Sequence, residues 1–479
     1  MSNTRDPIDD WLETEVTPLS PPPGSLSQIR QRAKRRKTRQ ASFVAVGCAV
    51  VLAGAVATPQ VISALNQPRH HSPSVAIGSN SPPSVSGSPS PSTRPSPSQE
   101  SKNATQIKQH TRLSTTTSGT SPPPHFRPTS ATFVGNTEGG VVGAVVGQAG
   151  PPCATSVCTS LAGTSNYGKS WYGVSAPVAP GPSGDSGVSQ LRFANLRAGW
   201  AYGPALYETS GGGYPWHPED TYGYRVIDLE TSPARAFAVF GTCYGTGADY
   251  AANCSSFSLW TSVPSSRTWT QVSVPSADDQ MKSTSSAAPL LVISGDKTGY
   301  LLTPSGEVLS GPATRAGGSW SAVGMAKCKP GSPSTSGQAA EPTAQLASGP
   351  KLLLACATPT AGGRRFTEAI YTSATGATWQ QVGSVTVRGT PTSLTAASSA
   401  SAASGVVALA TTDGIRYSAD GGASWQVAAV TGNSPAGGFS YVGMTDVDQG
   451  IAVPANASLG EVYVTNDGGK TWQASPITS

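Results

Sequence analysis

Short runs of small and apolar residues recur along the chain from residue 140 onward, separated by stretches rich in Gly, Pro, Ser and Thr. A run of four to seven such residues is typical of a strand that is buried on both faces. We interpret each run as the second strand of a four-stranded unit, so the pattern predicts seven units. The seven runs are Gly140–Val146, Gly199–Tyr202, Ala236–Phe240, Gly299–Leu302, Leu352–Ala355, Gly405–Ala408 and Gly450–Val453.

A tryptophan follows each apolar run by about half a unit. The series is Trp171, Trp216, Trp269, Trp320, Trp379, Trp425 and Trp472, with steps of 45, 53, 51, 59, 46 and 47 residues. These steps match or approach the period of four-stranded propeller blades. Because both markers count seven, we predict an all-β fold, a seven-bladed β-propeller, over residues 129–479.

The turns before the last two of these tryptophans are near copies. Residues 465–472 read TNDGGKTW and residues 418–425 read SADGGASW. This pattern resembles the Asp-box, or bacterial neuraminidase, repeat. The resemblance implies that each copy is the turn between the third and fourth strands of a propeller blade.

The turn's chemistry needs no catalysis. The carboxylates of Asp420 and Asp467 can accept backbone N–H groups, and Gly tolerates a positive φ. Trp425 and Trp472 can pack against the next blade. We therefore predict a structural role for these four residues, with calcium binding by the two aspartates as the alternative.

The first 65 residues differ from this pattern. Residues 1–40 hold eight basic and five acidic side chains, and their basic part, from the capping-box sequence at Ser25 onward, predicts a helix after a disordered start. Residues 41–65 form an apolar stretch of transmembrane length. The positive-inside rule then predicts a cytoplasmic tail, a retained single-pass anchor and an extracytoplasmic remainder. The competing interpretation is a secreted protein, cleaved near Ala57.

Residues 66–128 are dominated by Ser, Pro and Thr. Such a segment cannot bury enough apolar surface to order itself, so we predict a disordered stalk. Of the net charge of +5, the first forty residues carry +3. The remaining chain is nearly neutral, which argues against nucleic acid as a partner.

Six cysteines lie outside the apolar stretch, an even number that suits an oxidising compartment. Their positions within the predicted blades favour three disulfides on the face opposite the Trp-closed turns, and free thiols are the alternative. Their spacing fits no common zinc pattern, so we predict no metal and no cofactor. The predicted pairs are Cys153–Cys158, Cys243–Cys254 and Cys328–Cys356.

Function tends to lie on loops that a rigid scaffold holds. The loops on the predicted disulfide face therefore supply candidate ligand contacts, with plain solvated loop as the alternative for each. The candidates are Asp220, Tyr222, Tyr244, Asp249, Tyr250, Arg364, Arg365, Phe366 and Glu368.

The Asp-box resemblance raises sialidases first. Members of that family use an arginine cluster, a Tyr nucleophile with a Glu partner, and an early Arg-Ile-Pro motif on six blades. Here only Phe126-Arg127-Pro128 echoes that motif, so no catalytic residue is carried over. The architecture also resembles membrane-anchored actinobacterial-type propeller proteins.

We therefore expect a non-catalytic recognition or scaffold propeller for a glycan, a peptide or a partner protein, such as a cell-wall glycan or an extracellular protein. One alternative is a signalling receptor whose short tail docks a cytoplasmic regulator. The other is a sialidase-like or other glycoside hydrolase.

Overall fold

The structure is a computed structural model that describes Ala53–Gly54 and residues 121–478. Within the second range, the residues left out of the description are 136–140, 150–157, 182–186, 245–252, 275–280, 283–286, 296, 315–317, 332–342, 361–363, 398–404 and 433–434.

Seven sheets, each with four antiparallel strands in succession, follow one another along the chain, which confirms the predicted seven-bladed propeller; six sheets have only these four strands, and the seventh has two more. In each blade the strands lie in chain order from the inside outward, and we call them A to D. The first four blades are Arg127–Gly135, Val141–Ala149, Cys158–Thr164 and Tyr172–Val174 (β2–β5); Gln190–Phe193, Gly199–Tyr202, Leu206–Thr209 and Trp216–Pro218 (β6–β9); Arg225–Thr231, Ala236–Cys243, Cys254–Ser262 and Trp269–Gln271 (β10–β13); and Leu290–Ser294, Thr298–Leu302, Glu307–Pro312 and Ser321–Met325 (β14–β17).

The remaining blades repeat the same order. They are Thr343–Ser348, Leu352–Pro359, Arg365–Ser373 and Gln380–Arg388 (β18–β21); Pro391–Ala397, Val406–Thr411, Gly414–Ser418 and Gln426–Val427 (β22–β25); and Phe439–Met444, Gly450–Pro454, Glu461–Thr465 and Thr471–Pro476 (β27–β30). Two short strands extend blade 7: Ala53–Gly54 (β1) pairs with β27, and Ala429–Thr431 (β26) pairs in parallel with β30.

All seven predicted apolar runs coincide with B strands. Six of the seven predicted tryptophans stand at or directly before the start of a D strand, and Trp472 is the second residue of its D strand. The A–B and C–D turns therefore share one face, the turn face, and the B–C and D–A connections share the other, the loop face. The propeller begins at Arg127, two residues before the expected start.

Neighbouring A strands are linked around the channel by bonds between a side chain and a neighbour's backbone. Leu191 N donates to Ser130 Oγ at 3.3 Å, and Ser348 Oγ donates to the Ile293 carbonyl at 2.7 Å. Met444 N donates to Thr395 Oγ1 at 3.1 Å. A strands of neighbouring blades do not form a ladder of backbone hydrogen bonds with each other. These polar side chains therefore supply hydrogen-bond partners for backbone groups on the channel side of the A strands.

No helix in the described part of the chain has the length and apolar character that a membrane crossing requires. The predicted segment 41–65 lies outside the described residues apart from β1, and so do the predicted tail, its basic helix and most of the stalk.

Candidate binding surface at the seam between blades 2 and 3

The turn before Trp472 is organised by Asp467. Its Oδ1 accepts from Thr471 N at 2.9 Å and from Thr465 Oγ1 at 2.9 Å, and its Oδ2 accepts from Thr471 Oγ1 at 2.6 Å. Burial alone would raise the pKa of this carboxyl, but the hydrogen bonds from Thr471 and Thr465 outweigh it and hold the pKa below its usual value. The oxygen atoms are therefore occupied within the turn.

Asp420 repeats this arrangement with Ser424 and Ser418. The indole N–H of each following tryptophan also stays local: Trp425 Nε1 donates to the Gly422 carbonyl at 2.9 Å, and Trp472 Nε1 donates to the Gly469 carbonyl at 3.0 Å. In the equivalent turn of blade 1, Asn166 Oδ1 accepts from Ser170 N at 3.0 Å, so an amide can fill the same place.

Two predicted disulfides are present, and both lie toward the loop face. Cys243–Cys254 joins the ends of strands B and C in blade 3, and Cys328–Cys356 joins the D–A connection before blade 5 to that blade's strand B. Cys158 is also disulfide-bonded, while its predicted partner Cys153 lies outside the described residues.

The structure separates the candidate ligand contacts. Tyr244 is 66% exposed, and Arg364 and Arg365 are also exposed. Asp249 and Tyr250 lie outside the described residues. The exposed candidates therefore do not share a blade: Tyr244 is on blade 3, and Arg364 and Arg365 are on blade 5.

The expectation that Phe366 and Glu368 lie on a loop is wrong. Both belong to strand C of blade 5, where Phe366 is buried and Glu368 is 0% exposed. The sequence misled because Arg364, Arg365 and Glu368 look like a polar loop, whereas the strand already starts at Arg365. Among the residues that the structure describes, neither oxygen of Glu368 has a hydrogen-bond partner, and burial raises the pKa of this carboxyl to about 8.

The remaining two candidates, Asp220 and Tyr222, lie together in the D–A connection between blades 2 and 3. Asp220 Oδ1 accepts from Tyr222 N at 2.7 Å, which closes a short turn, and Tyr224 N donates to the Thr221 carbonyl at 2.9 Å. Tyr222 adopts the left-handed conformation with φ 54°. A bulky residue is seldom found there, so the turn fixes its ring at a cost in backbone strain.

The Tyr222 ring caps a column of aromatic side chains. It stacks on Trp260 with centroids 5.2 Å apart, and Trp260 stacks on Phe240 at 5.3 Å; both pairs are within 20° of parallel. Tyr224 tilts against Trp260 at 6.3 Å. Tyr222 is 51% exposed and Tyr224 is 36% exposed, whereas Phe240 is buried. We call Tyr222, Tyr224 and Trp260 the aromatic platform.

An ion pair stands beside the platform. Arg267, in the C–D turn of blade 3, contacts Glu219 with Nε and Oε1 3.3 Å apart, and Glu208 Oε1 accepts from Ser265 N at 2.7 Å. Burial, reinforced by the nearby Glu208 carboxylate, raises the pKa of Glu219 to about 7 against the opposing effect of Arg267. The Glu219 side chain is 1% exposed, so Arg267 shields it from solvent.

A second polar cluster faces the channel. Arg192 Nε lies 3.3 Å from Glu230 Oε1, and the guanidinium carbon lies 5.8 Å from the centroid of the Tyr441 ring. Asp228 Oδ2 accepts from Leu291 N at 3.0 Å. Burial raises the pKa of Asp228 to about 7 and of Glu230 to about 8, although Arg192 opposes both shifts. The cluster ties together strands A of blades 2, 3, 4 and 7.

Sequence reasoning missed the platform's Trp260 and Tyr224, the shielding Arg267 and the channel cluster. Trp260 carried a signal, because it falls outside the series of blade-closing tryptophans. The sequence gives no signal for Arg192, Asp228 and Glu230, since charged side chains within apolar strands are usually interpreted as facing solvent.

No family model and no curated protein matches this chain. Similar solved structures include YCF48 bound to D1 peptide, at 14% identity and TM-score 0.37, covering 63% of this chain and 82% of that chain. The Niastella koreensis GH74 enzyme has 13% identity and TM-score 0.24, covering 75% and 74%. The fucose-specific lectin from Aleuria aurantia has 15% identity and TM-score 0.34, covering 65% and 97%. These likenesses concern the fold and carry no argument about function.

Proposed function

We propose that this protein is a non-catalytic recognition propeller, anchored in the cell membrane by residues 41–65 with its N-terminus cytoplasmic and the propeller outside. In the anchored chain Ala53–Gly54 lie in the membrane, so their pairing with β27 belongs to a chain that is not inserted. Its ligand is a glycan, a peptide or a partner protein. The two turns at Asp420 and Asp467 act as Asp boxes in this proposal, and their role is to hold the blades.

The observation that carries the proposal is the aromatic platform. Half-exposed aromatic rings offer a large apolar contact area at a low cost in side-chain entropy, and such rings are enriched where proteins bind partners. The stack on Trp260 and the turn closed by Asp220 fix the Tyr222 ring before any ligand arrives. A surface organised in advance loses less entropy on binding.

A glycoside hydrolase is the second candidate, because burial and the nearby Glu208 carboxylate together raise the pKa of Glu219. Paired carboxylates with different pKa values are the usual acid and base of such enzymes. The shielding of Glu219 by Arg267 favours binding over catalysis at this pair.

The test is a screen of the immobilised full chain against a glycan array and extracellular protein extracts. The matched variants are Tyr222→Ala and Tyr214→Ala; Tyr214 is 56% exposed but lies in the C–D turn of blade 2 and is not part of the aromatic platform. We expect Tyr222→Ala to weaken binding of the captured ligand at least tenfold and Tyr214→Ala to leave it unchanged. Equal binding by both variants would reject the platform, and turnover of the captured ligand would favour the hydrolase.

A further inference from the structure

Strand D of blade 5 forms a long open edge. This strand, β21, covers the nine residues Gln380–Arg388, whereas the D strands of blades 1, 2, 3, 4 and 6 have two to five residues. The six-residue D strand of blade 7 is already paired on its outer side by β26. In the described part of the chain β21 pairs only with β20, so its outer side presents a row of backbone N–H and C=O groups.

This edge lacks the usual protection. Proteins normally guard a long edge strand with proline, with several charges or with a covering segment. β21 has no proline and one charged residue, Arg388 at its end, and five of its nine residues are exposed. Apart from the pairing with β20, the described residues give its backbone one weak hydrogen bond, from Gln381 Nε2 to the Gly383 carbonyl at 3.5 Å. The loop-face half, Ser384–Arg388, is therefore open to pairing with another chain.

Three arginines stand at the loop-face end of the edge. Arg365 is the first residue of β20 and is the direct cross-strand partner of Arg388. Arg364 precedes Arg365, and all three residues are exposed. Like charges that face each other across two strands repel, so this arrangement by itself costs stability. We call Arg364, Arg365 and Arg388 the arginine cluster.

No carboxylate among the described residues pairs with the arginine cluster. Both ion pairs in that part of the chain belong to blades 2 and 3. Glu368 lies three residues beyond Arg365, on the opposite side of the sheet, and is buried. Asp413, in the B–C turn of blade 6, stands near the segment after β21, since a Cβ on Gly389 would meet Asp413 N at 3.0 Å, but it forms no ion pair with the cluster. The cluster therefore presents positive charge that suits an acidic partner.

We propose that β21 binds an extended acidic segment of a partner protein, which adds a fifth antiparallel strand to blade 5. Main-chain hydrogen bonds supply the affinity, and pairing of carboxylates with the arginine cluster fixes direction and register. Because β21 runs from the turn face to the loop face, an antiparallel segment has its acidic residues at its N-terminal end. The site is separate from the aromatic platform and goes beyond the function proposed for that surface.

A second copy of this chain fits the edge less well. Two β21 strands paired antiparallel about Ser384 would place each Arg388 opposite a Gln380. β21 contains no acidic residue, so neither arginine cluster would gain a carboxylate. Charge complementarity therefore favours an acidic segment over self-association.

The test uses a fluorescein-labelled synthetic peptide, DDETVTVTG, titrated with the full chain and followed by fluorescence anisotropy. We expect saturable binding that weakens at least fivefold with Arg365→Gln or with Arg388→Gln. Arg197→Gln is the matched control, because Arg197 is an exposed arginine in the A–B turn of blade 2; it should leave the affinity unchanged. Tyr222→Ala should also leave it unchanged, since the aromatic platform takes no part in this site.

Two N-methylated versions of the peptide test the strand pairing itself. Successive backbone amides of a strand point to opposite sides, so methyl groups on one alternate set block the ladder with β21 and those on the other set do not. We expect one version to lose affinity at least tenfold and the other to keep it. A peptide with its acids moved to the C-terminal end should bind more weakly than the original.

Four results would overturn the inference. They are the absence of saturable binding, equal affinities of the three arginine variants, equal affinities of the two N-methylated peptides, and a dimer in sedimentation velocity that excludes the peptide. The last result would assign the edge to a second copy of the chain. A failed ligand screen with Tyr222→Ala leaves this test intact, because the two experiments report on different blades.

Discussion

Trp171 Nε1 donates a hydrogen bond of 2.8 Å to Ser475 Oγ, although 304 residues separate them. Ser475 Oγ in turn donates to the Gly168 carbonyl. Blade 1 takes its strands A to D from the start of the propeller, and blade 7 takes its strands A to D from the end. The ring therefore closes without exchanging any of these strands, and β1 and β26 only extend the sheet of blade 7. Closure depends on this bond and on apolar packing that includes Phe133, Val453 and Val464.

Replacing Ser475 by alanine should therefore weaken the closed ring. Two hydrogen bonds are lost at a buried position, and we expect the free energy of unfolding to fall by about 1–2 kcal/mol. Chemical denaturation of the full chain measures it. Ser321→Ala, at an exposed serine in the D strand of blade 4, is the control and should change stability by less than ~0.5 kcal/mol. Equal effects of the two variants would contradict a closing role for Ser475.

The Asp467 turn should tolerate an amide better than an apolar residue. Asp467→Asn keeps the acceptor for Thr471 N, as Asn166 does in blade 1, whereas Asp467→Ala removes every side-chain acceptor. We expect Asp467→Ala to cost about 1–3 kcal/mol and Asp467→Asn to cost less than half of that. Thermal unfolding of both variants tests whether Asp467→Ala is destabilised more than Asp467→Asn. If Asp467 instead bound calcium, added calcium would stabilise the parent protein and would stabilise neither variant.

The same carboxylate predicts a pH dependence. The folded pKa of Asp467 is depressed, so its stabilising contribution is present above the unfolded pKa of about 3.9 and is lost as pH falls through the folded value. Between pH 5 and pH 2, Asp467→Ala should lose less stability than the parent. Parallel curves for the two proteins would show that this carboxyl does not stabilise the turn.

Glu368 should respond to pH in the opposite direction. Burial raises its folded pKa to about 8, so stability is greatest below the unfolded pKa of about 4.3 and falls as pH rises from there to about 8. Glu368→Met should abolish this loss of stability with rising pH. It should also stabilise the protein by about 1–3 kcal/mol at pH 8, because it replaces a buried carboxyl that has no hydrogen-bond partner among the described residues with an apolar side chain beside the packed core of blades 5 and 6. Glu368→Gln separates the two effects, since it cannot titrate yet stays unpartnered; it should remove the pH slope with a smaller gain. A destabilised Glu368→Met would mean that the carboxyl has a partner.

The channel cluster should behave as a coupled unit. Arg192→Met leaves Asp228 and Glu230 buried without their cation and should cost about 3–5 kcal/mol. Adding Glu230→Met should recover part of that loss, because the second change removes one of the uncompensated carboxylates. A double-mutant cycle measures the coupling, and strictly additive losses would show that the two side chains act independently.

The periodic features of the chain determined the architecture. Each apolar run can form its backbone hydrogen bonds away from water only in the interior of a sheet. Each blade repeats the same local arrangement of strands, so the number of apolar runs and of tryptophans equals the number of blades. The pairs Cys243–Cys254 and Cys328–Cys356 were also predictable, because the blade register brings each pair to the loop face. The structural roles of Asp420 and Asp467 were predictable because their hydrogen-bond partners lie within four residues in the sequence.

Only the tertiary structure decided where the polar side chains meet. Tyr222 and Trp260 are 38 residues apart, and nothing in either stretch specifies a stack across a blade seam. Arg192 meets Glu230 because two A strands converge on one channel, and Glu368 turns inward because its strand starts three residues earlier. Local periodicity is encoded in each segment, whereas contacts between blades depend on how the whole ring closes.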